Sequence, residues 1–209
     1  MGATKVMIIR HAEKPGVYNG QSFSGINAYG FADDESLVTL GWERAGGLAN
    51  LLAPSHGPVE DAALATPCAI YASDPADQDG KEPSQRPYQT ISALAAKLDL
   101  VAHTMFAKMS VADMVCNLLA RQDAGAILIS WQHELILPVS PTAASIVTEL
   151  LQQTATPADS LPGVPTVPWP ADRYDLVFVF DRPSGSGPFI AFTQVPQLLL
   201  AGDSPALIP

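Results

Sequence analysis

The residues able to do chemistry fall just after three apolar runs. Val6-Met7-Ile8-Ile9 is followed by Arg10-His11-Ala12-Glu13-Lys14-Pro15. Residues 68–72 (CAIYA) are followed by Ser73-Asp74 and, beyond a loop, by Arg86. Residues 126–131 (AILISW) are followed by Gln132-His133-Glu134. The chain has 11 Lys and Arg against 21 Asp and Glu, a formal charge of −10. Bringing Arg10, His11, Arg86 and His133 to one place would therefore make a local anion site inside a negative field. Two guanidinium forks suit phosphate oxygens, which they bind bidentately.

The elements that must position these groups alternate between strand and helix patterns. Short apolar runs at 5–10, 68–72, 126–131 and 176–180 (LVFVF) predict buried strands. A last strand is expected over 189–193, joined to its predecessor by the Gly- and Pro-rich turn 182–188. Helices are expected over 39–53, capped by Thr39, with Ala45, Leu48, Ala49 and Leu52 inward. Another begins near Ser84, with Pro87 in its first turn and Tyr88, Ile91, Ala95 and Leu98 as its stripe. Further helices are expected over 111–121 and 142–153. Such alternation predicts a three-layer α/β/α fold around a mostly parallel sheet, with the last two strands as an antiparallel hairpin. Ligands in such sheets bind beyond the carboxyl ends of the strands, where the groups above lie. Residues 154–172 carry five prolines and are expected to form a surface loop. The tail after Pro196 is expected to be a peripheral wrap.

Composition narrows the rest. With 209 residues, 47% of them hydrophobic and 15% charged, the chain reads as one globular domain over 1–209. The acidic balance argues against nucleic acid and anionic lipid as partners. No apolar run reaches the ~20 residues of a membrane span, and the start has neither a signal-peptide nor a myristoylation layout. A cytoplasmic location is expected. Cys68 and Cys116 read as buried free thiols. The histidines at 11, 56, 103 and 133 lack metal-ligand spacing, so neither metal nor cofactor is expected; His56 and His103 read as surface. Ser184-Gly185-Ser186-Gly187 lacks the Lys-Ser/Thr of a P-loop and reads as a turn.

Four segments in register resemble the histidine phosphatase superfamily, the phosphoglycerate-mutase-like fold. Arg10-His11-Ala12-Glu13 resembles its Arg-His-Gly motif, with Ala12 in the Gly place. The extension through Lys14-Pro15 is similar to a bacterial subgroup. Leu37-Val38-Thr39-Leu40-Gly41-Trp42-Glu43-Arg44-Ala45 resembles its Leu-Thr-x-x-Gly-x-x-x-Ala helix start, shifted by one residue. Ser84-Gln85-Arg86-Pro87-Tyr88-Gln89-Thr90 resembles its Arg-x-x-Gln-Thr segment, and Ile129-Ser130-Trp131-Gln132-His133 the strand ending in the second histidine. The resemblance implies a metal-independent phosphomonoester hydrolase acting on a small phosphorylated substrate or a phosphopeptide. His11 would be the nucleophile, its other ring nitrogen held by a backbone carbonyl, and Arg10, Arg86 and His133 would hold the transferring phosphoryl group. Two alternatives stand: a phosphate- or phosphoprotein-binding domain of the same fold, and a phosphotransferase or mutase.

Three departures from that pattern leave questions open. An acidic insert, 75–83, separates Ser73-Asp74 from Arg86; its Asp77, Asp79 and Glu82 form either a solvated loop or a pocket rim that disfavours polyanions. Trp131-Gln132 separate Ser130 from His133. The proton donor is Glu134 as first candidate, then Glu13 or Asp74; without one, aryl and acyl phosphates would be favoured. Lys14 either contacts phosphate or sits at the rim. Asn19 and Asn27 are both candidate phosphate contacts. Tyr18, Phe23, Tyr29 and Phe31 either cover substrate or anchor their loop. Oligomeric state stays open.

Overall fold

The computed structural model describes residues 2–18, 20–77, 82–140 and 143–209. Strands β1 (Ala3–Arg10), β4 (Pro67–Ala72), β5 (Gly125–Trp131), β6 (Leu176–Asp181) and β7 (Ala191–Pro196) form one sheet in the order β4-β5-β1-β6-β7. β4, β5 and β1 are mutually parallel; β6 is antiparallel to both β1 and β7. Four of the five strands thus share a direction. A small hairpin, β2 (Gly16–Tyr18) and β3 (Gln21–Phe23), stands apart within a segment expected to be loop.

The expected three-layer α/β/α architecture is present, and side-chain alternation along β1 shows why. Val6 and Ile8 pack with α3 (Val111–Leu119) and α4 (Ile146–Gln153) on one face. Met7 and Ile9 pack with α1 (Thr39–Leu52) and α2 (Arg86–Lys97) on the other. Alternate residues of a strand point to opposite faces, so a run that is apolar throughout belongs to a sheet covered on both sides. Each such aliphatic side chain, fully buried, contributes roughly 1.5–3 kcal/mol.

Several boundaries differ from the sequence expectation. Thr39 is the first helical residue of α1, after Val38, and makes no cap bond. α2 starts at Arg86, not Ser84, with Pro87 in its first turn. Tyr88 is largely exposed, while Pro87, Ile91, Leu94 and Ala95 form the buried stripe. Thr142 lies outside the described residues; α4 begins after Ser145, whose hydroxyl caps it by accepting the Thr148 amide. β7 begins two residues later than expected because the turn after β6 runs on to Ile190. Residues 154–172 form a loop pinned to the core by Leu161 and Trp169. The tail wraps the surface, mostly exposed, and is anchored by buried Gln197 and Ile208 and by Leu199 on the α1/α2 face. Cys116 is exposed and Cys68 half-buried, so neither is the buried thiol expected. His103 is half-buried, stacked on Tyr71 at 4.6 Å. No helix among the described residues is long and apolar enough to cross a membrane.

Candidate active site

The register of the parallel strands brings the chemistry together. Arg10 pairs with Trp131, and Ala72 with Ser130, so β1, β4 and β5 end along one line. The ladder runs one step further, with the His11 amide donating to the Trp131 carbonyl at 2.9 Å. A cleft of about 370 Å³ opens there, lined by His11, Lys14, Arg86 and His133, with Gln132 and Glu134 beside them.

His11 is almost fully buried. Its Nδ1 lies 2.7 Å from the Ala12 carbonyl, an acceptor only, so Nδ1 carries the proton and Nε2 is left with a free lone pair. Burial first, then the charge of Arg10, then those of Arg86 and His133 keep the imidazole pKa well below its ordinary 6.5. The backbone bond to Ala12 opposes this without cancelling it. Arg86 and His133 line the cleft with His11, whereas Arg10, the residue before it, lies outside the cleft lining.

The loop bearing His11 is held by three elements named in the sequence reading. The Ala12 amide donates to Thr90 Oγ1 at 2.8 Å, and that hydroxyl donates to the Arg86 carbonyl at 2.7 Å. Gln89 accepts the Leu37 amide and donates to Ser36 Oγ, joining α2 to the start of α1. Gly41 lies against the loop so closely that a Cβ would meet the Glu13 carbonyl oxygen at 2.7 Å. Thr90 and Gly41 thus contact the His11 segment directly, and Gln89 ties α2 to the start of α1.

Arg10 is fully buried and its guanidinium lies 3.8 Å over the Tyr174 ring. Nη1 donates to the carbonyls of Ala171 (2.7 Å) and Arg173 (3.0 Å), so the proline-rich loop clamps one arm of the fork. Nε and Nη2 are buried without partners, as is Nε of Arg86. Burial lowers the Arg10 pKa. Unpaired, desolvated cationic N–H groups are costly, and an anion that accepts from them relieves that cost. Arg86 Nη1 donates to the Asp34 carbonyl at 2.8 Å, with Glu35 3.5 Å from Nη2.

His133 opens a short 3-10 turn after β5, and its Nδ1 lies 2.9 Å from Glu134 Oε2. Glu134 also lies 2.9 Å from Lys108 Nζ. The His133 bond, then Lys108, hold the Glu134 carboxyl far below the ordinary carboxylate range, against the opposing effect of burial. A carboxyl so held is ionised in the unliganded cleft, and of the three donor candidates Glu134 is the one that lines it. The other two candidates lie outside the cleft lining. Glu13 is buried against Arg44 at 2.7 Å, and Asp74 accepts the Ala76 amide.

The remaining alternatives resolve by position. Lys14 lines the cleft and is exposed. Asn27 is spent on its own loop, accepting the Tyr29 and Phe31 amides; Asn19 lies outside the described residues. Tyr18 and Phe23 pack edge to face, and Tyr18 bonds the Lys14 carbonyl, whereas Tyr29 and Phe31 are exposed. None of the four lines the cleft. In the insert, Asp77 is buried and Glu82 reaches the rim, 2.6 Å from Lys108; Asp79 lies outside the described residues. Sequence reasoning missed Lys108, Ser84 and Glu35 as lining residues. Lys108 sits in an irregular segment before α3 with no motif around it, so only a contact could reveal it. Among the described residues, no group of three or more His, Cys, Asp or Glu is placed to hold a metal ion.

No family model matches the chain, and no curated protein matches it. Among solved structures it is similar to the "putative phosphohistidine phosphatase SixA from Agrobacterium tumefaciens", at 14% identity and a TM-score of 0.42 over 92% of this chain and 96% of that one. It is also similar to "mycobacterial glucosyl-3-phosphoglycerate phosphatase Rv2419c", at 12% identity and a TM-score of 0.42 over 92% of this chain and 97% of that one.

Proposed function

We propose that this chain is a phosphomonoester hydrolase that works through a phosphohistidine at His11. One observation carries the reading: a neutral, buried imidazole with Nε2 free sits in a cleft with Arg86 and His133, next to guanidinium N–H groups that lack acceptors. The motif resemblance of residues 5–150 to histidine phosphatases agrees with it.

In the reaction, the Nε2 lone pair attacks phosphorus and the bond from phosphorus to the leaving oxygen breaks. Nδ1–H, fixed on the Ala12 carbonyl, keeps the ring in the attacking tautomer and shares the positive charge that develops. Arg10, Arg86 and His133 stabilise the charge spread over the three phosphoryl oxygens. Water then attacks phosphorus, the P–Nε2 bond breaks, and phosphate leaves with the proton released to solvent. Lys14, at the cleft wall, adds a further cation.

Glu134 serves here as a positioning residue. Accepting from His133 Nδ1, it turns the other nitrogen of that ring toward the phosphoryl group. Held ionised in the free protein, Glu134 favours leaving groups that need no proton, so aryl and acyl phosphates should be turned over faster than alkyl phosphates. The same observation favours the second reading, a phosphate-binding domain with little turnover.

Hydrolysis of p-nitrophenyl phosphate, compared with an alkyl phosphate and with His11→Ala, separates these readings. Turnover of the aryl ester that His11→Ala abolishes, with mass-detected phosphorylation of His11, is the expected result. Phosphate binding with no turnover and no phosphorylated His11 would establish the binding domain instead.

A further inference from the structure

Gln132 is a polar side chain inside the cleft that no motif explains. It follows β5 directly, is 6% exposed, and lines the same cleft as His11 and His133. Its Nε2 donates to Ser73 Oγ at 3.0 Å, stapling the end of β5 to the end of β4. Its Oε1 is buried with no partner. An acceptor desolvated beside cationic groups and left unpaired is costly, and native structures seldom tolerate it without a reason.

The chemistry of the pair supplies one. A serine hydroxyl both donates and accepts, whereas the two ends of a glutamine amide differ only in hydrogen-bond role. Rotating the amide by half a turn keeps the staple, with Ser73 Oγ–H now donating to Oε1. It also gives the Ser73 hydrogen an acceptor, which the present orientation does not. The end that faced no partner then becomes an N–H donor. In a cleft built from Arg86, His133 and Lys108, an N–H complements an incoming anion and a carbonyl oxygen opposes it.

We infer that Gln132 is a phosphoryl-binding residue whose amide donates to a non-bridging oxygen of the bound group. The assignment rests on the reading of the cleft as a phosphoryl site. It places a neutral donor beside the cationic ones, contributed by the residue that separates β5 from His133.

Binding of inorganic phosphate, measured by calorimetry above neutral pH, tests this with three proteins of matched thermal stability. Gln132→Leu removes the donor and the staple. Ser73→Ala removes the staple and leaves the amide free to donate. The expected result is about tenfold weaker phosphate binding for Gln132→Leu, the scale of one lost hydrogen bond to a charged group, with Ser73→Ala much closer to wild type. Equal losses in the two variants would reduce Gln132 to a staple and overturn the assignment. So would phosphate binding in Gln132→Leu as tight as in the wild type, a result that leaves the phosphoryl site itself standing. Wild-type affinity that falls as phosphate loses its second proton, with Gln132→Leu abolishing that trend, would make Oε1 an acceptor and likewise overturn it. Failure of the wild type to bind phosphate or to be phosphorylated on His11 would end both the assignment and the reading beneath it. If Gln132→Leu does not fold, Gln132→Glu replaces it, with the same loss expected and restored phosphate affinity as the overturning result.

Discussion

The Thr90 hydroxyl accepts the Ala12 amide at 2.8 Å, so α2 directly fixes the loop that carries His11. Because Thr90 donates onward to the Arg86 carbonyl, the same side chain ties the nucleophile loop to the residue that supplies the second guanidinium. Thr90→Val keeps the shape and removes both bonds. It leaves the buried Ala12 amide unpaired, at a cost of roughly 1–3 kcal/mol. A lowered thermal midpoint and a kcat on p-nitrophenyl phosphate reduced about tenfold or more are expected, since small misplacements of reacting groups are costly. Wild-type values for both would remove the positioning role.

The depressed pKa of His11 has a consequence for stability as well as reactivity. Below the ordinary value of 6.5 the unfolded chain protonates this imidazole while the folded chain does not. The unfolded state then binds more protons, so stability falls as pH drops from 6.5 toward the native value. Denaturant unfolding of the wild type and His11→Gln across that window checks the sign. The variant should lose less stability on acidification. For the same reason, the His11 nucleophile should stay competent into mildly acidic solution instead of titrating out near 6.5.

The acid-base state of the cleft wall depends on Lys108, which bridges Glu82 at 2.6 Å and Glu134 at 2.9 Å. Lys108→Met leaves two carboxylates facing the anion site without that cation. Phosphate affinity should fall, and the loss should shrink in high salt because the groups are partly exposed. Glu82→Gln acts in the opposite direction. It should raise kcat/KM for a bisphosphorylated substrate relative to a monophosphate by about two- to fivefold, the scale of a solvent-screened charge pair. An unchanged ratio would show that the rim carboxylate does not select against polyanions.

Arg44 binds Glu13 and Asp203, both at 2.7 Å, and all three side chains are at most 6% exposed. This triad fastens the C-terminal segment to the residue two positions beyond His11. Arg44→Met strands two buried carboxylates and should cost about 3–5 kcal/mol in urea unfolding. Replacing all three members by apolar residues of similar size should recover most of that loss, because the stranded charges are then gone.

The layered α/β arrangement is legible in the residue order, since runs that are apolar throughout require a sheet covered on both faces. The same runs imply which strand ends carry Arg10, His11 and His133, because each lies within a few residues of one, whereas Arg86 opens α2 beyond the loop that follows β4. Those are local properties of the chain. What the neighbouring groups do depends on how the chain packs. Glu13 lies next to the nucleophile loop in sequence but turns to Arg44, and Asn27 is consumed by its own turn. Lys108 arrives from a loop with no motif, and by pairing with Glu134 it helps hold that carboxylate ionised. The carbonyls of residues 170–173, from a segment legible only as proline-rich, take one arm of Arg10 and leave the rest of the fork unpaired. Proton affinity and hydrogen-bond demand depend on which groups meet within a few ångströms and on how completely water is excluded there. Neither is written in the order of residues along the chain.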